Sequence, residues 1–427
     1  MRILLTGASG LIGKPLLAAL LAAGYEVVCA TRSPPPGLRA NPCLSWIHAD
    51  FTQDSDQSRW LARLRGVDAV INTVGVFREH GRQSFAALHT HTPCALFAAC
   101  AESGSVQLVI QLSALGADQD ADSPYHLSKK AADDCLARLP LRAFIVQPSL
   151  VYGKDGISAR LFKSLASMPF LVRFGTGAQL VQPIHVDDVV AAIISLLRQP
   201  RELKANGAIA RRIALVGPSP MPFPAYLMAL RNGLGLGRLR VLPLPGWLAR
   251  TAARLRIGWL DPETLRMLDR GNSADPQSTA RLLGRAPREP ASFIDDPAAE
   301  RAQAKLGWLL PMLRVSLAFV WIATAAVSAG LYPVEQSYAL LERSGVPSLF
   351  APLMLYGAVG LDLLLGVATL MLTRRRWLWL AQLILIGFYS VVIAIKLPEF
   401  LLHPYGPLTK NLPMLAAIWL LYELEEK

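Results

Sequence analysis

The feature that most constrains the fold is a turn of spaced glycines at the start of the chain. Residues 3–5 are an apolar run that predicts a buried parallel strand, and residues 15–23 predict a helix. Between them, after Thr6, stand three glycines at three-residue spacing: Gly7, Gly10 and Gly13. In such a unit the glycines permit a tight turn, close approach of a pyrophosphate, and close helix–strand packing. The pattern predicts a dinucleotide site at the helix N-terminus, and the alternative is a turn that binds nothing.

Further apolar runs alternate with helix-like segments after the stop at Gly24. Residues 25–30, 45–48, 66–72 and 107–112 predict four more strands, and residues 85–103 predict a helix with a break at Pro93. This alternation is typical of the α/β class, here a Rossmann-type, doubly wound parallel sheet. Ligands bind outside the carboxyl ends of such strands. One crevice is therefore expected to collect the residues at those ends: Gly7, Arg32, Asp50, Gly75 and Ser113.

The end of the second strand indicates which nicotinamide cofactor binds. An acid at this position bonds the ribose 2′-OH, whereas an arginine accommodates a 2′-phosphate. The strand runs into Thr31, Arg32 and Ser33, with no acid. The sequence therefore favours NADP(H) over NAD(H), and the alternative is that Arg32 is an ordinary surface residue.

A serine, a tyrosine and a lysine follow in an order suited to proton transfer. Ser113 ends the fifth strand, and twelve residues later Tyr125 opens a predicted helix after Pro124. Residues four apart share a helix face, so Lys129 is expected beside Tyr125. A lysine there favours the phenolate of a group that ordinarily titrates near pH 10, and it can hold the nicotinamide ribose. The serine hydroxyl can polarise a substrate carbonyl. The alternative is an exposed helix face.

Together these motifs resemble the short-chain dehydrogenase/reductase superfamily. Residues 147–153 and 183–191 resemble its extended, NAD(P)-dependent epimerase/dehydratase-like branch. The resemblance covers about residues 1–300, with the substrate-binding part mostly at 150–300. It implies that Ser113, Tyr125 and Lys129 are catalytic. It also implies that Asp50 contacts adenine, that Pro148 flanks the nicotinamide, and that the full cofactor-binding set is Thr6, Gly7, Gly10, Leu11, Ile12, Gly13, Arg32, Asp50, Phe51, Gly75, Tyr125, Lys129 and Pro148.

Two departures from the family pattern support a second interpretation. Gln147 stands where a basic residue is usual, and the strand end at Ser113 carries a single serine. Both features are closer to atypical members related to the nucleotide-binding accessory subunit of respiratory complex I, in which the cofactor is structural. The alternative to an enzyme is thus a non-catalytic NADPH-binding accessory or assembly subunit of a quinone-linked membrane complex.

The last 121 residues have a different composition from the rest of the chain. Hydrophobic residues make up 52% of the sequence and charged residues 17%. From Gly307 onward the chain has eight basic and seven acidic residues. The formal net charge of +12 therefore lies almost wholly in residues 1–306. Residues 315–331, 346–372 and 377–395 approach or exceed the roughly 20 apolar residues that span a bilayer as a helix. A fourth, weaker candidate covers residues 408–422. We therefore predict an all-α transmembrane four-helix bundle over residues 307–427.

This second part resembles the DoxX-like four-helix membrane family. The resemblance is carried by residues 360–366 and 403–411. Some members of that family are linked to quinone-dependent oxidation, which implies a quinone-linked partner as one alternative. Asp362 stands inside a predicted span, where a charge is costly, so it is a functional-site candidate with Arg314 as its expected partner, and the alternative is a structural ion pair between helices.

The placement of basic residues predicts how the chain lies across the membrane. The run 374–376 of three arginines is expected to be cytoplasmic, so two spans earlier the N-terminal domain is cytoplasmic as well. The immediate start with a strand predicts no cleavable signal peptide. Five cysteines without metal-site spacing predict free thiols and no metal. Residues 332–347 and 396–407 are expected as outward loops of a multi-pass inner-membrane protein.

The sequence predicts a membrane-anchored NAD(P)(H)-dependent oxidoreductase or epimerase-type enzyme. Its substrate is expected to be a lipophilic carbonyl or alcohol, because the catalytic motifs are fused to membrane spans. No nucleic-acid reader motif accompanies the basic charge. Residues 246–259 combine tryptophans with arginines, which predicts either an interfacial helix or a helix capping the substrate pocket.

Overall fold

Seven parallel strands form the central sheet of the chain in a computed structural model. The structure describes residues 1–34, 41–174, 179–199, 210–237, 240–244, 270–373, 375–404 and 406–425. The sheet strands are β1 (Arg2–Thr6), β2 (Glu26–Thr31), β3 (Leu44–His48), β4 (Ala69–Asn72), β5 (Leu108–Leu112), β6 (Ala143–Pro148) and β7 (Ala210–Leu215). Their order is β3-β2-β1-β4-β5-β6-β7, which confirms the predicted doubly wound, Rossmann-type sheet.

Eight helices accompany the sheet within the first compact unit, Met1–Ala304, among its described residues. They are α1 (Gly13–Ala22), α2 (Gln57–Arg63), α3 (Thr92–Ser103), α4 (Pro124–Ala137), α5 (Ile157–Ser167), α6 (Val186–Arg198), α7 (Phe223–Gly233) and α8 (Gln277–Leu283). The break predicted at Pro93 lies just before it, where a π-helical turn, Ala86–His91, gives way to α3.

The first strand shows why the sheet is buried on both faces. Ile3 and Leu5 pack in a core layer with α1 and α6, whereas Leu4 packs in the opposite layer with α2, α3 and α4. Successive side chains of a strand point to opposite faces, so this run of three apolar residues fills both layers. All three are fully buried, and each such side chain contributes about 1.5–3 kcal/mol to folding.

Short strand pairs, α5 and α7 form a smaller part beside the sheet, whereas Leu282 and Leu283 of α8 pack against the core layer of α1 and α6. The pairs join Val151–Tyr152 to Ile184–His185, Leu180–Val181 to Met221–Pro222, and Phe170–Phe174 to Arg240–Leu244. A separate core there gathers Tyr152, Phe223, Tyr226 and Phe293. Beside it lies a buried ion pair, in which Lys163 Nζ donates to Glu300 Oε2 at 2.6 Å.

The second compact unit, Lys305–Lys427, is helical. Its helices are α9 (Pro297–Ala326, which begins in the first unit), α10 (Val334–Arg343), α11 (Ala351–Met371), α12 (Arg376–Lys396) and α13 (Asn411–Leu424). Within the described residues three helical segments are long and apolar enough to cross a membrane: Pro297–Leu331, Ser348–Met371 and Arg376–Lys396. Large apolar side chains on them, such as Ile384 at 70% exposure, face outward as lipid-facing residues do. These three segments confirm the predicted apolar helices.

The remaining helices of this unit refine the sequence prediction. α13 has 14 residues, and about 1.5 Å of rise per residue makes it shorter than the roughly 30 Å hydrocarbon core. A fourth crossing therefore stays a prediction. The segment expected as a plain loop at residues 332–347 contains α10, which has one apolar and one polar face. The tryptophan–arginine segment 246–259 lies outside the described residues.

The ion pair predicted between Arg314 and Asp362 is wrong. Arg314 Nη2 instead donates to Glu425 Oε2 at 3.3 Å, whereas Asp362 is buried midway along α11 with no partner for its Oδ1 among the described residues. The reason is depth. Arg314 lies inside α9 but immediately before the apolar run 315–331, and Glu425 follows the last turn of α13, so both lie at the ends of predicted spans, whereas Asp362 lies in a span interior.

Candidate active site

The glycine turn after β1 has the backbone geometry that its sequence predicts. Gly7 adopts φ +75°, and a Cβ on it would come within 2.6 Å of Thr73 Oγ1. A Cβ on Gly13 would lie 2.0 Å from the carbonyl oxygen of Gly7, so α1 packs against the turn only with glycine there. Gly10 is exposed, and α1 has no side-chain N-cap. In the first turn of α1 the Lys14 N–H donates to the Gly10 carbonyl oxygen at 3.0 Å and Pro15 has no N–H, so it is the exposed backbone of residues 9–11 that fits the phosphates of a dinucleotide.

Thr6 belongs to a polar ladder that sequence reasoning missed. Its Oγ1 donates to Asn72 Oδ1 at 2.6 Å, and Asn72 Nδ2 donates to Gln111 Oε1 at 2.7 Å. All three side chains are buried, and they link β1, β4 and β5 across the sheet. The Thr6 side chain is therefore engaged within the protein, and so is its carbonyl oxygen, which accepts from the Thr73 backbone N–H at 3.2 Å and from Thr73 Oγ1 at 2.7 Å. Polar residues at matching positions of three neighbouring strands were the available signal.

Three predicted adenosine-side residues follow β2 and β3. Arg32 is exposed just after β2, at the expected strand end. The Asp50 carboxylate accepts hydrogen bonds from the Thr52 backbone N–H at 3.0 Å and from Gln53 Nε2 at 3.2 Å, so it also fixes its own turn. The Phe51 ring is buried against Trp60 with ring centroids 5.5 Å apart, so only the backbone of Phe51 remains for adenine.

The structure places Lys129 at the junction of two strand ends. Its ammonium Nζ donates to the carbonyl oxygens of Val74, after β4, and Leu112, in β5, each at 3.2 Å. A Cβ on Gly75 would lie 2.8 Å from the same Nζ, so the predicted glycine makes room for this lysine. Burial lowers the pKa of Lys129 to about 8, and the nearby Asp133 carboxylate opposes that shift.

Tyr125 lies one helical turn before Lys129, in the first turn of α4. The helix begins as predicted, with Ser123 as N-cap accepting from the His126 backbone N–H. Four aromatic rings surround the Tyr125 ring: Phe77, Phe85, His89 and His126. Within this group of five rings, neighbouring centroids lie 5.1 to 6.0 Å apart, the shortest distance being between Phe85 and His89. Burial, followed by the Asp133 charge, raises the pKa of Tyr125 to about 12. The expected lowered pKa is therefore wrong for this structure, because burial and the Asp133 charge both raise it, and Tyr125 is a phenol that can donate a proton.

Ser113 is held by an acid that sequence reasoning missed. Ser113 Oγ donates to Asp133 Oδ2 at 2.5 Å, and Gln147 Nε2 lies 3.5 Å from the same oxygen. Asp133 is fully buried, and its Oδ1 has no partner among the described residues. Burial raises the pKa of Asp133 to about 7, against the opposing effects of Ser113 and Lys129. Its position four residues after Lys129 was the available signal.

The remaining predicted residues line the same strand ends. Pro148 is the buried last residue of β6, and its carbonyl oxygen accepts from the Leu115 backbone N–H at 2.9 Å. Leu11 is exposed, and its Cδ1 occupies the space that a Cβ on Gly153 would need. Ile12 precedes α1 and is half-buried against the core.

His89, which was not predicted, supports the tyrosine. Its Nε2 accepts from the Val76 backbone N–H at 3.0 Å, and its Nδ1 lies 2.9 Å from Ser128 Oγ. Burial and then the charge of Lys129 lower the pKa of His89 to about 2, so the ring stays neutral. The neutral His89 ring has a hydrogen-bond partner at each of its two nitrogens and packs edge-on to Tyr125. It therefore positions the phenol without competing for its proton.

Two family models match the chain. Residues 3–210 match the NAD dependent epimerase/dehydratase family, and residues 318–419 match the DoxX-like family. Among curated proteins, a ceramide reductase of Caulobacter vibrioides is 27% identical over 258 residues, which cover 60% of this chain and 77% of the relative. The Arabidopsis thaliana mitochondrial NADH dehydrogenase [ubiquinone] 1 alpha subcomplex subunit 9 is 28% identical over 196 residues, covering 45% of this chain and 49% of that protein.

Solved structures show the same fold for the first part of the chain. UDP-glucuronic acid 4-epimerase from Bacillus cereus, in complex with UDP-glucuronic acid and NAD, superposes with a TM-score of 0.51 at 22% identity. The match covers 71% of this chain and 99% of the epimerase. At this identity the likeness shows the fold alone.

Proposed function

We propose that this chain, in which an enzyme domain of the NAD-dependent epimerase/dehydratase type is joined to a DoxX-like membrane domain, is an NADP(H)-dependent oxidoreductase of a lipophilic carbonyl or alcohol. The observation that carries the proposal is the placement of Tyr125 one turn before Lys129, whose ammonium is fixed to two strand ends. A phenol held beside a cation at the ligand-binding edge of the sheet is suited to exchange a proton with a carbonyl oxygen.

The mechanism assigns one role to each group. When bound, the reduced nicotinamide supplies a hydride to the carbonyl carbon. Tyr125 donates its hydroxyl proton to the carbonyl oxygen, since its raised pKa keeps it protonated at neutral pH. The Lys129 cation stabilises the phenolate that remains. Ser113 Oγ has one proton, which Asp133 accepts in this structure; to hydrogen-bond the substrate oxygen the hydroxyl turns toward it, and a protonated Asp133 then donates to Ser113 Oγ.

The surroundings of the tyrosine favour an apolar substrate. Phe77 packs on the Tyr125 ring, with centroids 5.4 Å apart, yet 53% of Phe77 remains exposed. Ile157 opens α5 directly after Gly156, which contacts Leu11 of the glycine turn, and it is 82% exposed. Large apolar side chains left in water beside a site are typical of a surface that binds apolar ligands. The similarity to a ceramide reductase supports a membrane lipid as the substrate class.

The cofactor is proposed to be NADP(H), with Arg32 on the 2′-phosphate. A charge-assisted hydrogen bond of this kind contributes about 1.5–3 kcal/mol. We expect Arg32→Ala to weaken NADPH binding at least tenfold and to leave NADH nearly unchanged. Arg65→Ala is a matched control, because Arg65 is exposed just before β4. It therefore lies at the amino-terminal ends of the strands, opposite the ends that form the proposed site. Equal weakening of both cofactors in a binding titration would remove the 2′-phosphate assignment.

The location proposed for this chemistry is the cytoplasmic face of the inner membrane, with the helices of the DoxX-like domain as a multi-pass anchor. Three apolar helical segments and the arginines that precede α12 support this orientation. A lipid substrate then reaches the site without leaving the membrane region.

The second candidate is a non-catalytic NADPH-binding subunit of a quinone-linked complex. It is supported by the similarity to a complex I subunit and by Gln147, which bonds the Ala117 carbonyl oxygen at 3.2 Å instead of supplying a positive charge. Oxidation of NADPH by membranes containing the chain separates the candidates. Steady oxidation that depends on added lipid supports the oxidoreductase, and bound NADPH that stays reduced supports the subunit.

A further inference from the structure

Three arginines converge at one end of the second unit. Arg314 Nη2 and Arg375 Nη1 donate to different oxygens of the Glu425 carboxylate, at 3.3 and 3.5 Å. Arg376 places its guanidinium carbon 4.6 Å from the centroid of the Tyr422 ring. Arg314 is in α9, and Arg375 and Arg376 stand at the start of α12. Their partners Tyr422 and Glu425 stand at the end of α13. We call Arg314, Arg375 and Arg376 the arginine cluster.

The arginine cluster holds more positive charge and more donors than the protein satisfies. Among the described residues, the Glu425 carboxylate pairs with two of the three guanidinium groups, and Trp379 Nε1 also donates to that carboxylate at 3.0 Å. The Nε atoms of all three arginines are buried, and none has a hydrogen-bond partner within the described part of the chain. α12 begins here without a side-chain cap, which adds the positive end of a 21-residue helix. Because Arg376 has no carboxylate partner among the described residues and the side chains of Arg314 and Arg375 remain 27% and 15% exposed, the cluster fits an anion with several oxygens at its surface.

The surface beside the cluster indicates which anion it takes. Trp377, Leu380 and Ile384 follow on α12 and are 58%, 39% and 70% exposed. Tryptophan above exposed aliphatic side chains is the usual arrangement at the junction of headgroups and hydrocarbon. An anion at the cluster therefore lies at headgroup depth, with an apolar helix face available to acyl chains.

We propose that the arginine cluster is a binding site for the phosphate of an anionic phospholipid. The phosphate oxygens accept from the arginine donors, and the lipid charge compensates the surplus positive charge of the cluster. The site is separate from the dinucleotide crevice, and its occupancy is independent of the proposed reaction. Basic sites between spanning helices commonly hold lipid headgroups in this way.

The test titrates lipid into the full chain in an uncharged detergent and measures the unfolding temperature of the chain at each lipid concentration. Phosphatidylglycerol is expected to raise that temperature, whereas phosphatidylcholine is not. Arg376→Gln and Arg314→Gln should each raise the phosphatidylglycerol concentration that gives half of the temperature shift by about fivefold. This factor follows from a contribution of about 1 kcal/mol per arginine to lipid binding. Arg376→Lys keeps the charge and should respond nearly as the parent does. Arg343→Gln is the control, because Arg343 stands at the end of α10, after the first span, and pairs with Glu399 instead of belonging to the cluster.

Three results would overturn the proposal. The first is an unchanged phosphatidylglycerol response in both glutamine variants. The second is an equal shift with phosphatidylcholine. The third is a full shift with inorganic phosphate at the same concentration, which would assign the cluster to a soluble anion. Arg376→Gln leaves both ion pairs to Glu425 intact, so its unfolding temperature without lipid should match that of the parent.

Discussion

At the scale of single residues, the site is governed by three buried groups on one helix. Tyr125, Lys129 and Asp133 follow one another at four-residue spacing on α4, so a proton-donating phenol, a cation and a carboxyl group share one face. Burial raises the pKa of the tyrosine and the aspartate and lowers that of the lysine. Because all three lose solvation together, the charge of each depends on its neighbours.

Removing the Asp133 charge is expected to change the pH profile of turnover. The carboxylate raises the pKa of Lys129, so in Asp133→Asn that pKa falls below about 8. The lysine then loses its charge at lower pH, and the alkaline decline of the rate begins earlier than in the parent. Asp134→Asn is the control, because Asp134 is half-exposed and pairs with Lys130 and Arg212. An unchanged alkaline decline in Asp133→Asn would contradict this role.

The site residues differ in how visible they are in the sequence. Ser113, Tyr125 and Lys129 stand at a strand end and at helical spacing, so their types and positions predicted them. Asp133 stands beside Asp134 in the sequence, and the two look alike until the structure shows one fully buried and the other half-exposed. Hydrogen-bond partners and depth are properties of the folded chain, which is why Glu425 rather than Asp362 pairs with Arg314.

At the scale of elements, apolar runs predicted five of the seven sheet strands within a few residues, because a strand buried on both faces must be apolar throughout. The other two, β6 and β7, were not predicted, and β7 contains two arginines. The short strand pairs of the smaller part were not predictable, since two residues carry no periodicity. That part instead depends on long-range contacts. Lys163 of α5 pairs with Glu300 in the first turn of α9, and Tyr152 Oη donates to the same carboxylate at 3.1 Å.

Breaking the Lys163–Glu300 pair on one side is expected to destabilise the fold strongly. Lys163→Met leaves Glu300 buried without its cation, which costs about 3–5 kcal/mol. Adding Glu300→Met should restore much of that loss, because the double variant buries no charge. Lys130→Met, which removes a half-exposed pair with Asp134, should cost at most about 1 kcal/mol. Denaturant unfolding of the full chain in detergent measures the parent, Lys163→Met, Glu300→Met, their double variant and Lys130→Met, and additive losses in the double variant would contradict this account.

At the scale of the whole molecule, a basic dinucleotide-binding domain precedes a nearly neutral bundle of apolar helices. The composition change near Gly307 predicted that division, and the structure has compact units Met1–Ala304 and Lys305–Lys427. The orientation in the membrane is a proposal that rests on the arginines at 374–376.

The proposed orientation predicts which side of the membrane labels the native cysteines. Cys43 is exposed just before β3, whereas Cys29 and Cys100 are buried. A membrane-impermeant maleimide should label Cys43 in inside-out vesicles and leave it unlabelled in sealed cells. A Cys43→Ser variant identifies the labelled site by mass spectrometry. Labelling of Cys43 from outside sealed cells would place the dinucleotide domain on the other face.

The central claim is that this chain transfers hydride at a membrane with Tyr125 as the proton donor. The most direct test is NADPH oxidation by the purified full chain in vesicles of total membrane lipid, compared with its Tyr125→Phe variant. A general acid contributes about 10²–10⁴-fold, so the variant should lose that much rate while binding NADPH with the parent's Kd. Equal rates in parent and variant, or bound NADPH that stays reduced in both, would contradict it.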